Sequence, residues 1–402
     1  MPYKTNNFNN RRSSNNFRTN SRPRQNVNNN RGGPKKDYIN PSRFIKVAKP
    51  IDQEVYVAQY DFDDFAINDI IKQNLKNKGY VTPSPIQDKT IPQALAGQDI
   101  IGIANTGTGK TAAFAIPLLN LAMMGDTYAL VVAPTRELAQ QIDGEFRTIA
   151  KGSSLSAAVL IGGSSMGVQL RDLKTNPQII IGTPGRIKDH IERGSLNLAK
   201  FSFVVLDEVD RMLDMGFIND MQTILSKLSP TRQSLFFSAT LDSRVKTLIE
   251  TFSNDPIEIS IKTGDTSENV HQDVVYVNHS SEKIEKLHNL LNGDDIQKVI
   301  IFDDTQRSVE RLSTELALRG FKADSIHGGK SQAQRQRSLH KFKQNELKVL
   351  VATDVAARGI DVSDITHVIN YSTPNSYDDY VHRIGRAGRA GNIGYALTFV
   401  TK

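Results

Sequence analysis

Two tandem α/β domains, each a parallel sheet flanked by helices, are expected from this sequence, behind a disordered basic tail. Three observations lead there. From about residue 60 to 255, short apolar runs alternate with helical patterns, and that alternation builds parallel sheets through crossover helices. It resumes beyond a polar stretch around Lys262–Glu268 that contains Gly264 and reads as a linker. Nearly every polar motif follows an apolar run directly, and in open α/β sheets the carboxyl ends of strands border the ligand crevice. The expected boundaries are a tail at 1–50, a first domain at 51–257, a linker at 258–270 and a second domain at 271–402.

Composition narrows the function classes. A chain of 402 residues can support two cores of ordinary size. The best apolar stretch, 112–124, is interrupted by Pro117 and Asn120, so no membrane span is expected. No hydrophobic signal segment opens the chain, and the absence of cysteine excludes disulfides and thiolate metal sites. A cytoplasmic location fits. The net charge of +7 is unevenly placed: residues 1–50 hold 12 Lys/Arg against one acid, Asp37, while the other 352 residues hold 38 bases against 42 acids. The first forty residues are Asn- and Arg-rich, with Phe8 and Phe17 interspersed and almost no aliphatic side chains, a disordered composition. Such a segment reads as a nucleic-acid-binding arm, because Lys and Arg release counterions from phosphates. A merely solubilising extension is the alternative.

In the first domain, the strand expected at Asp99–Ile103 runs into Ala104-Asn105-Thr106-Gly107-Thr108-Gly109-Lys110-Thr111 and then a helical run. This is the context of a phosphate-cradling loop: Gly107 and Gly109 let backbone N–H groups close on phosphate, with Thr106 before the first glycine and Thr108 between the two. Lys110 takes the β- and γ-phosphates, and the Thr111 hydroxyl helps hold Mg²⁺. Strands follow at Ala129–Ala133, Ala157–Ile161 and Gln178–Ile181. The next, Phe203–Leu206, ends in Asp207-Glu208-Val209-Asp210, which puts carboxylates at a strand tip. Asp207 is the expected Mg²⁺ ligand and Glu208 the base for an attacking water. Ser234–Phe237 is the sixth expected strand.

The second domain has expected strands at Val274–Val277, Val299–Phe302, Ala323–Ile326, Val349–Val351, His367–Ile369 and Tyr395–Phe399. It carries no phosphate loop, so it is expected to complete a site begun in the first.

From about residue 60 to 400 the chain resembles the DEAD-box RNA helicases of superfamily 2, which implies two RecA-like domains and the cofactors ATP and Mg²⁺. Gly79 through Gln87 resembles the family's adenine-reading motif, with Phe62 at the place of its upstream aromatic. A glutamine amide can pair bidentately with adenine, and a phenyl ring can stack on it. By the same resemblance Pro134, Thr135, Arg136, Gly163, Thr183, Pro184, Gly185 and Arg186 line an RNA groove. Ser238 and Thr240 couple hydrolysis to RNA through Asp210. In the second domain Arg307, Gln332, Arg335 and Thr353 match RNA contacts, and Asp361 matches a ribose contact. His382 belongs to the coupling set, and Arg386 and Arg389 match fingers that neutralise charge on the γ-phosphoryl group. Val209 replaces the alanine of the family's name at a non-ligand position. Within the family, Arg211–Phe217 and His327–Gln332 look most like the bacterial RhlE-like group.

The resemblance implies an RNA-stimulated ATPase that locally separates short RNA duplexes or remodels ribonucleoproteins. Ribosomal precursor particles and RNA-decay proteins are implied partners, membranes are not, and a monomer is expected. A DNA translocase of the same superfamily is a rival reading, against which Gln87 and Asp-Glu-Val-Asp stand. So is a non-enzymatic RNA chaperone, against which Lys110, Glu208 and Arg389 stand.

Overall fold

The computed structural model describes residues 39–48, 56–105, 107–125, 127–261, 268–357, 360, 362, 364–388 and 392–401. The first domain opens with α1 (Asp69–Asn77), α2 (Pro85–Leu95), β1 (Ile100–Ile103), α3 (Lys110–Met124), β2 (Tyr128–Val132), α4 (Arg136–Ile149), β3 (Ala157–Leu160) and α5 (Met166–Lys174). It continues through β4 (Ile179–Gly182), α6 (Pro184–Glu192), β5 (Phe201–Leu206), α7 (Val209–Asp214), α8 (Ile218–Leu225), β6 (Gln233–Ser238), α9 (Ser243–Phe252) and β7 (Ile257–Ser260). The second comprises β8 (Val270–Val277), α10 (Ser280–Leu291), β9 (Val299–Phe302), α11 (Gln306–Leu318), β10 (Ala323–Ile326), α12 (Gln332–Lys343) and β11 (Val349–Ala352). It ends with α13 (Asp354–Ala357), β12 (His367–Asn370), α14 (Tyr377–Ile384) and β13 (Gly394–Thr401).

Both sheets are parallel, in the orders β3-β4-β2-β5-β6-β1-β7 and β10-β11-β9-β12-β13-β8. The two α/β domains agree with the fold class expected from sequence. Central strands such as β2 (Tyr-Ala-Leu-Val-Val) read as unbroken apolar runs because helices cover both faces. Successive residues feed opposite layers: Ala129 and Val131 enter one core, Leu130 and Val132 the other. Helix starts are fixed locally. Thr135 accepts from the Leu138 N–H at 3.2 Å to cap α4, and Ser331 with Gln334 forms a capping box on α12.

Sheet order positions the site. β5, β6 and β1 are adjacent, so the segments leaving their carboxyl ends, at Asp207, Ser238 and Ala104, lie side by side. Ala104 extends the ladder beyond β1 by donating to the Ser238 carbonyl at 3.1 Å.

Two boundaries differ from expectation. The linker was expected from 258, but β7 continues the first sheet to Ser260, pairing with β1, and Ile261 still donates to Ile103 O at 2.9 Å. A four-residue edge strand with alternate residues exposed gives too weak an apolar signal to be read as a strand. At the other end, Val270 already belongs to β8. The tail expected to run to 50 also ends early. Ile39–Ala48 packs on the second domain, with Phe44 fully buried in its core, a burial that stabilises by about 1.5–3 kcal/mol. Residues 1–38 lie outside the described residues.

Gly182 ends β4 just before Thr183-Pro184-Gly185-Arg186, and a Cβ there would stand 2.5 Å from the Leu160 carbonyl oxygen. That atom is backbone in the neighbouring strand and cannot swing aside. Gly182→Ala is expected to lower stability by about 1–3 kcal/mol, read by urea unfolding; a loss under about 0.5 kcal/mol, within the range of harmless surface changes, would mean the β3–β4 pairing yields without cost.

Candidate functional site

The loop between β1 and α3 is held from below by α2. Ser84 Oγ donates to Thr108 O at 2.8 Å, and Gln87 Nε2 donates to Gly109 O at 3.1 Å. Gln87 Oε1 in turn accepts from Ser84 N at 2.9 Å. Both polar ends of the Gln87 amide are therefore used inside the protein, and what it reads in this structure is the loop. Gly109 has φ +95°, and a Cβ there would meet Gln87 Nε2 at 2.5 Å, so this approach requires glycine. Thr108 Oγ1 closes the turn onto Asn105 O at 2.8 Å. Lys110 is buried, its Nζ parked on Ala104 O at 2.7 Å. Thr106 lies outside the described residues.

Above the loop is a cavity of about 200 Å³. Its floor is Gly107, Gly109, Lys110 and Thr111, its far wall Asp207 and Glu208, and Tyr80, Gln141 and Glu145 flank it. Phe62 does not line it; the ring is buried edge-on against Tyr80 at 5.5 Å and against Phe65 at 6.0 Å. Tyr80 is the aromatic side chain that faces the cavity, and its hydroxyl donates to Glu145 Oε1 at 2.9 Å. Burial, aided by Glu145, raises its pKa well above the ordinary tyrosine value.

Burial pushes the Asp207 carboxyl up to about 7; Lys110 opposes the rise, and Glu208 and Asp210 add to it. Asp207 Oδ1 accepts from Glu208 N at 3.0 Å. A carboxyl whose pKa is raised by burial and, to a lesser extent, by like-charged neighbours, beside the Thr111 side chain in one cavity, suits a hard divalent cation that takes its other ligands from phosphate and water. Mg²⁺ fits that donor set. Glu208 has φ +54° and ψ +56°, a left-handed conformation unusual for a residue with a side chain, and such strain concentrates at working sites.

Behind this wall, Asp210 Oδ2 accepts from the backbone N–H groups of Ala239 and Thr240 at 3.2 and 3.1 Å and from Thr240 Oγ1 at 3.2 Å. Asp210 N donates to Ser238 Oγ at 3.3 Å. The structure thus brings Asp210, Ser238 and Thr240 together.

The second domain reaches the same cavity through Ile360. Arg386 is buried and donates from Nη1 to the Ile360 carbonyl at 3.0 Å, one residue behind the cavity wall. Its neighbour Arg383 forks onto Asp354 at 2.6 and 2.7 Å and also donates to Ser372 O at 2.8 Å, which anchors α14 to the sheet. His382, Arg386 and Arg211 of the first domain border a common cleft. Arg389 and Asp361 lie outside the described residues.

The expected groove residues divide into two groups. In the first domain the Arg136 guanidinium lies against the backbone of Gly162 and Gly163, where a Cβ at Gly163 would collide with it. Pro134 and Thr135 are buried at the start of α4, whereas Thr183, Pro184 and Gly185 start α6 with Gly185 exposed. Arg186 Nη1 donates to Ser164 O at 3.2 Å and to Gln169 Oε1 at 3.1 Å. Gln169, absent from the sequence reading, is fixed through Ile161 O at 2.9 Å and through buried His190 at 3.0 Å. Burial, reinforced by the Arg186 charge, lowers the His190 pKa.

In the second domain Arg307 is exposed on the first turn of α11, and Thr353 immediately precedes α13. Gln332 and Arg335, expected to face RNA, instead meet α4. Gln332 Nε2 donates to Glu137 Oε1 at 3.2 Å and to Gln140 Oε1 at 2.9 Å, and Arg335 Nη2 pairs with Glu137 Oε2 at 2.7 Å. Residue-by-residue matching could not anticipate this, because it follows from how α12 lies on α4. Among signals missed, Glu137 stood inside Pro134–Ala139 as a polar residue on a buried helix face, and Asp88 followed Gln87. Asp88 accepts from Tyr56 Oη at 2.6 Å and from Gln59 N and Tyr60 N at 2.9 and 3.1 Å, pinning the segment that leads to Phe62.

Residues 84–248 match the family model described as DEAD/DEAH box helicase, and residues 282–391 match that of the helicase conserved C-terminal domain. The DEAD-box ATP-dependent RNA helicase CshA of Bacillus licheniformis is 45% identical over 343 residues, covering 85% of this chain and 70% of that protein. The ATP-dependent RNA helicase CshA of Listeria monocytogenes is 44% identical over 341 residues, covering 84% and 66%. These relatives bear the CshA name and give the RhlE-like placement no support. Among solved structures, a DEAD box protein from Methanococcus jannaschii is 40% identical with a TM-score of 0.51, covering 86% of this chain and 94% of that one. Dbp5 of Saccharomyces cerevisiae bound to RNA and ADP BeF3 is 28% identical, yet its TM-score is 0.74 with coverage of 85% and 89%. The higher score at lower identity reflects overall geometry, because identity alone would rank them the other way.

The Asp207 pKa has a direct thermodynamic consequence. Its folded value, about 7, lies above the ordinary 3.8, so the protonated form is favoured on folding and stability falls as pH rises between those values. Without nucleotide or divalent cation, Asp207→Asn is expected to be more stable than the parent at pH 8 by roughly 2–4 kcal/mol, with a smaller gain at pH 5. Melting both proteins across this range checks it; a gain that does not grow with pH contradicts the buried-charge account.

Proposed function

As the chain belongs to the DEAD-box family of ATP-dependent RNA helicases, we propose that it couples ATP hydrolysis to local, sequence-independent separation of short RNA duplexes or remodelling of RNA–protein particles. One observation carries the reading: a single cavity has the phosphate loop as its floor, Asp207 and Glu208 as its wall, and Ile360 of the second domain at its rim, with Arg386 bonded to that residue's carbonyl. Nucleotide binding and domain closure then act on the same place. The matched region spans about two thirds of the length of the CshA relatives.

In this reading the loop N–H groups and Lys110 take the phosphates, Lys110 exchanging its bond to Ala104 O for phosphate oxygens. Asp207 and Thr111 would hold Mg²⁺, which would supply charge neutralisation at the phosphates. Glu208 accepts the proton of the attacking water. Arg389 and Arg386 stabilise charge on the transferred group from across the cleft, and Asp361 holds the ribose. Asp210, bonded to the turn after β6, links the hydrolytic wall to Ser238 and Thr240. Arg136, Gly163, Thr183, Gly185, Arg186, Arg307 and Thr353 contact RNA sugar and phosphate, which gives affinity without base sequence. Gln332 and Arg335 contribute by holding the groove's two halves together. The chain works as a cytoplasmic monomer, its subgroup is read as that of the CshA relatives, and ribosomal precursors or RNA-decay proteins are its partners.

Glu208→Gln is expected to keep ATP and RNA binding while slowing hydrolysis at least a hundredfold, the order typical of general bases; steady-state phosphate release measures it, and parental turnover would remove Glu208 from the base's role. Arg389→Ala should lower turnover more than ATP affinity.

Deleting residues 1–36 removes nine Lys/Arg and leaves Ile39–Ala48 in place. Engagement of three or four of those charges makes the log-affinity against log-salt slope for single-stranded RNA steeper by about 2–3, and deletion should remove that increment. Superimposable salt curves would make the arm a bystander.

A further inference from the structure

We propose that Ile39–Ala48 is a strap that ties the second domain back to the first, a tether docked non-covalently on the second domain and additional to the 262–267 connection, and that it restricts the relative motion of the two domains. Although it precedes the first domain in sequence, the strap is built into the second. Lys46 and Gln272 form an antiparallel bridge on the outer edge of β8, with N–H···O distances of 3.0 and 2.8 Å. Phe44 is fully buried and its ring lies 4.7 Å from that of Tyr380 on α14. Tyr380 Oη donates to Gln272 Oε1 at 2.9 Å, which closes a ring of contacts through strap, strand and helix. The Arg43 guanidinium lies 3.8 Å from the centroid of Tyr377. Ile39 is also buried in this core.

The next described residues are fastened to the other domain. Tyr56, Gln59 and Tyr60 all bond the Asp88 carboxylate on α2. Between Ala48 on one domain and Tyr56 on the other lie seven residues, so the span can extend to at most about 29 Å. The 262–267 connection between Ile261 and Glu268 reaches at most about 25 Å. A single connection bounds the separation of two domains and leaves their relative rotation open. Two short ones, attached at different points, leave mainly rotation about the line joining them and keep the domains at high effective concentration. The strap also bears on α14, the helix that carries His382 and leads to Arg386, so the tether ends against the element that must approach the nucleotide cavity.

The chain has no cysteine, so a donor and an acceptor dye can be placed site-selectively with Lys227→Cys and Lys341→Cys, one exposed residue in each domain. Single-molecule energy transfer without nucleotide or RNA is then recorded for the full chain and three derivatives. An insertion of about 20 Gly/Ser residues between Pro50 and Ile51 lengthens the tether while leaving the strap intact. Phe44→Ser undocks the strap, and the same insertion placed after Lys36 serves as the control. The long tether is expected to broaden the distance distribution and shift it to lower transfer, Phe44→Ser to do the same, and the control to match the parent. A long-tether chain that superimposes on the parent overturns the proposal, as does a control that shifts equally. Should Phe44→Ser fail to fold, the long-tether chain decides alone, because it changes no residue of either core. The readout needs neither ATP nor RNA, so its failure leaves the helicase reading untouched.

Discussion

Parallel pairing of β6 with both β5 and β1 is the constraint on which the catalytic arrangement depends. Three chain segments far apart in sequence leave their strands at one edge because the registers place Leu206 opposite Phe236, and Ile103 opposite Ser238. The carboxylates, the Ser238–Thr240 turn and the phosphate loop are then neighbours before any side chain is considered. Side-chain bonds lock what the ladder brings together: Asp210 spans from the β5 tip to the β6 tip, and Ala104 continues the β1–β6 pairing. The loop is thereby held on one side by a strand neighbour and on the other by Ser84 and Gln87.

This scaffold holds a site that is unfavourable for the empty protein. Asp207, Glu208 and Asp210 are buried within four consecutive residues, and Lys110 is the basic side chain facing them in the cavity. The cost appears as the raised Asp207 pKa and the left-handed backbone of Glu208. The first effect falls away when positive charge arrives beside Asp207 between Lys110 and Thr111. Such a site is destabilising by itself and stabilising once liganded, which is how nucleotide binding can supply free energy to a distant change.

Much of this was legible in the sequence because the chemistry sits in contiguous strings. Asp-Glu-Val-Asp and the Gly107–Thr111 loop each place several groups with one turn of chain, and strand-like runs before them fix where they emerge. What was not legible depends on tertiary neighbours. Gln169 orients Arg186 across two helices, and Glu137 faces α12 of the other domain. Tyr80 and Phe62 were both visible as aromatics, but only packing decides that Phe62 is buried edge-on while Tyr80 faces the cavity. Ile39–Ala48 reads as part of the tail because it follows a charge-rich, core-poor segment, whereas its own Ile39 and Phe44 need a partner surface supplied more than 200 residues later.

The contact between α4 and α12 shows how domain register can be specified without a large apolar interface. Arg335 and Glu137 are both nearly excluded from solvent, and burial pulls the arginine's pKa down while Glu137 pushes it back up. A buried ion pair adds little net stability compared with an apolar pair, but separating its members inside a dry interface costs about 3–5 kcal/mol. The penalty therefore falls on a misaligned contact between α4 and α12, in which one member of the pair stays buried without the other. Gln332 sharpens the preference by bonding Glu137 and Gln140 together. Glu137 lies one residue beyond Arg136, whose guanidinium rests on Gly162 and Gly163. The start of α4 thus carries a cation packed on Gly162 and Gly163 on one face and the interdomain carboxylate on the next, and a displacement of α4 at either contact must be felt at the other.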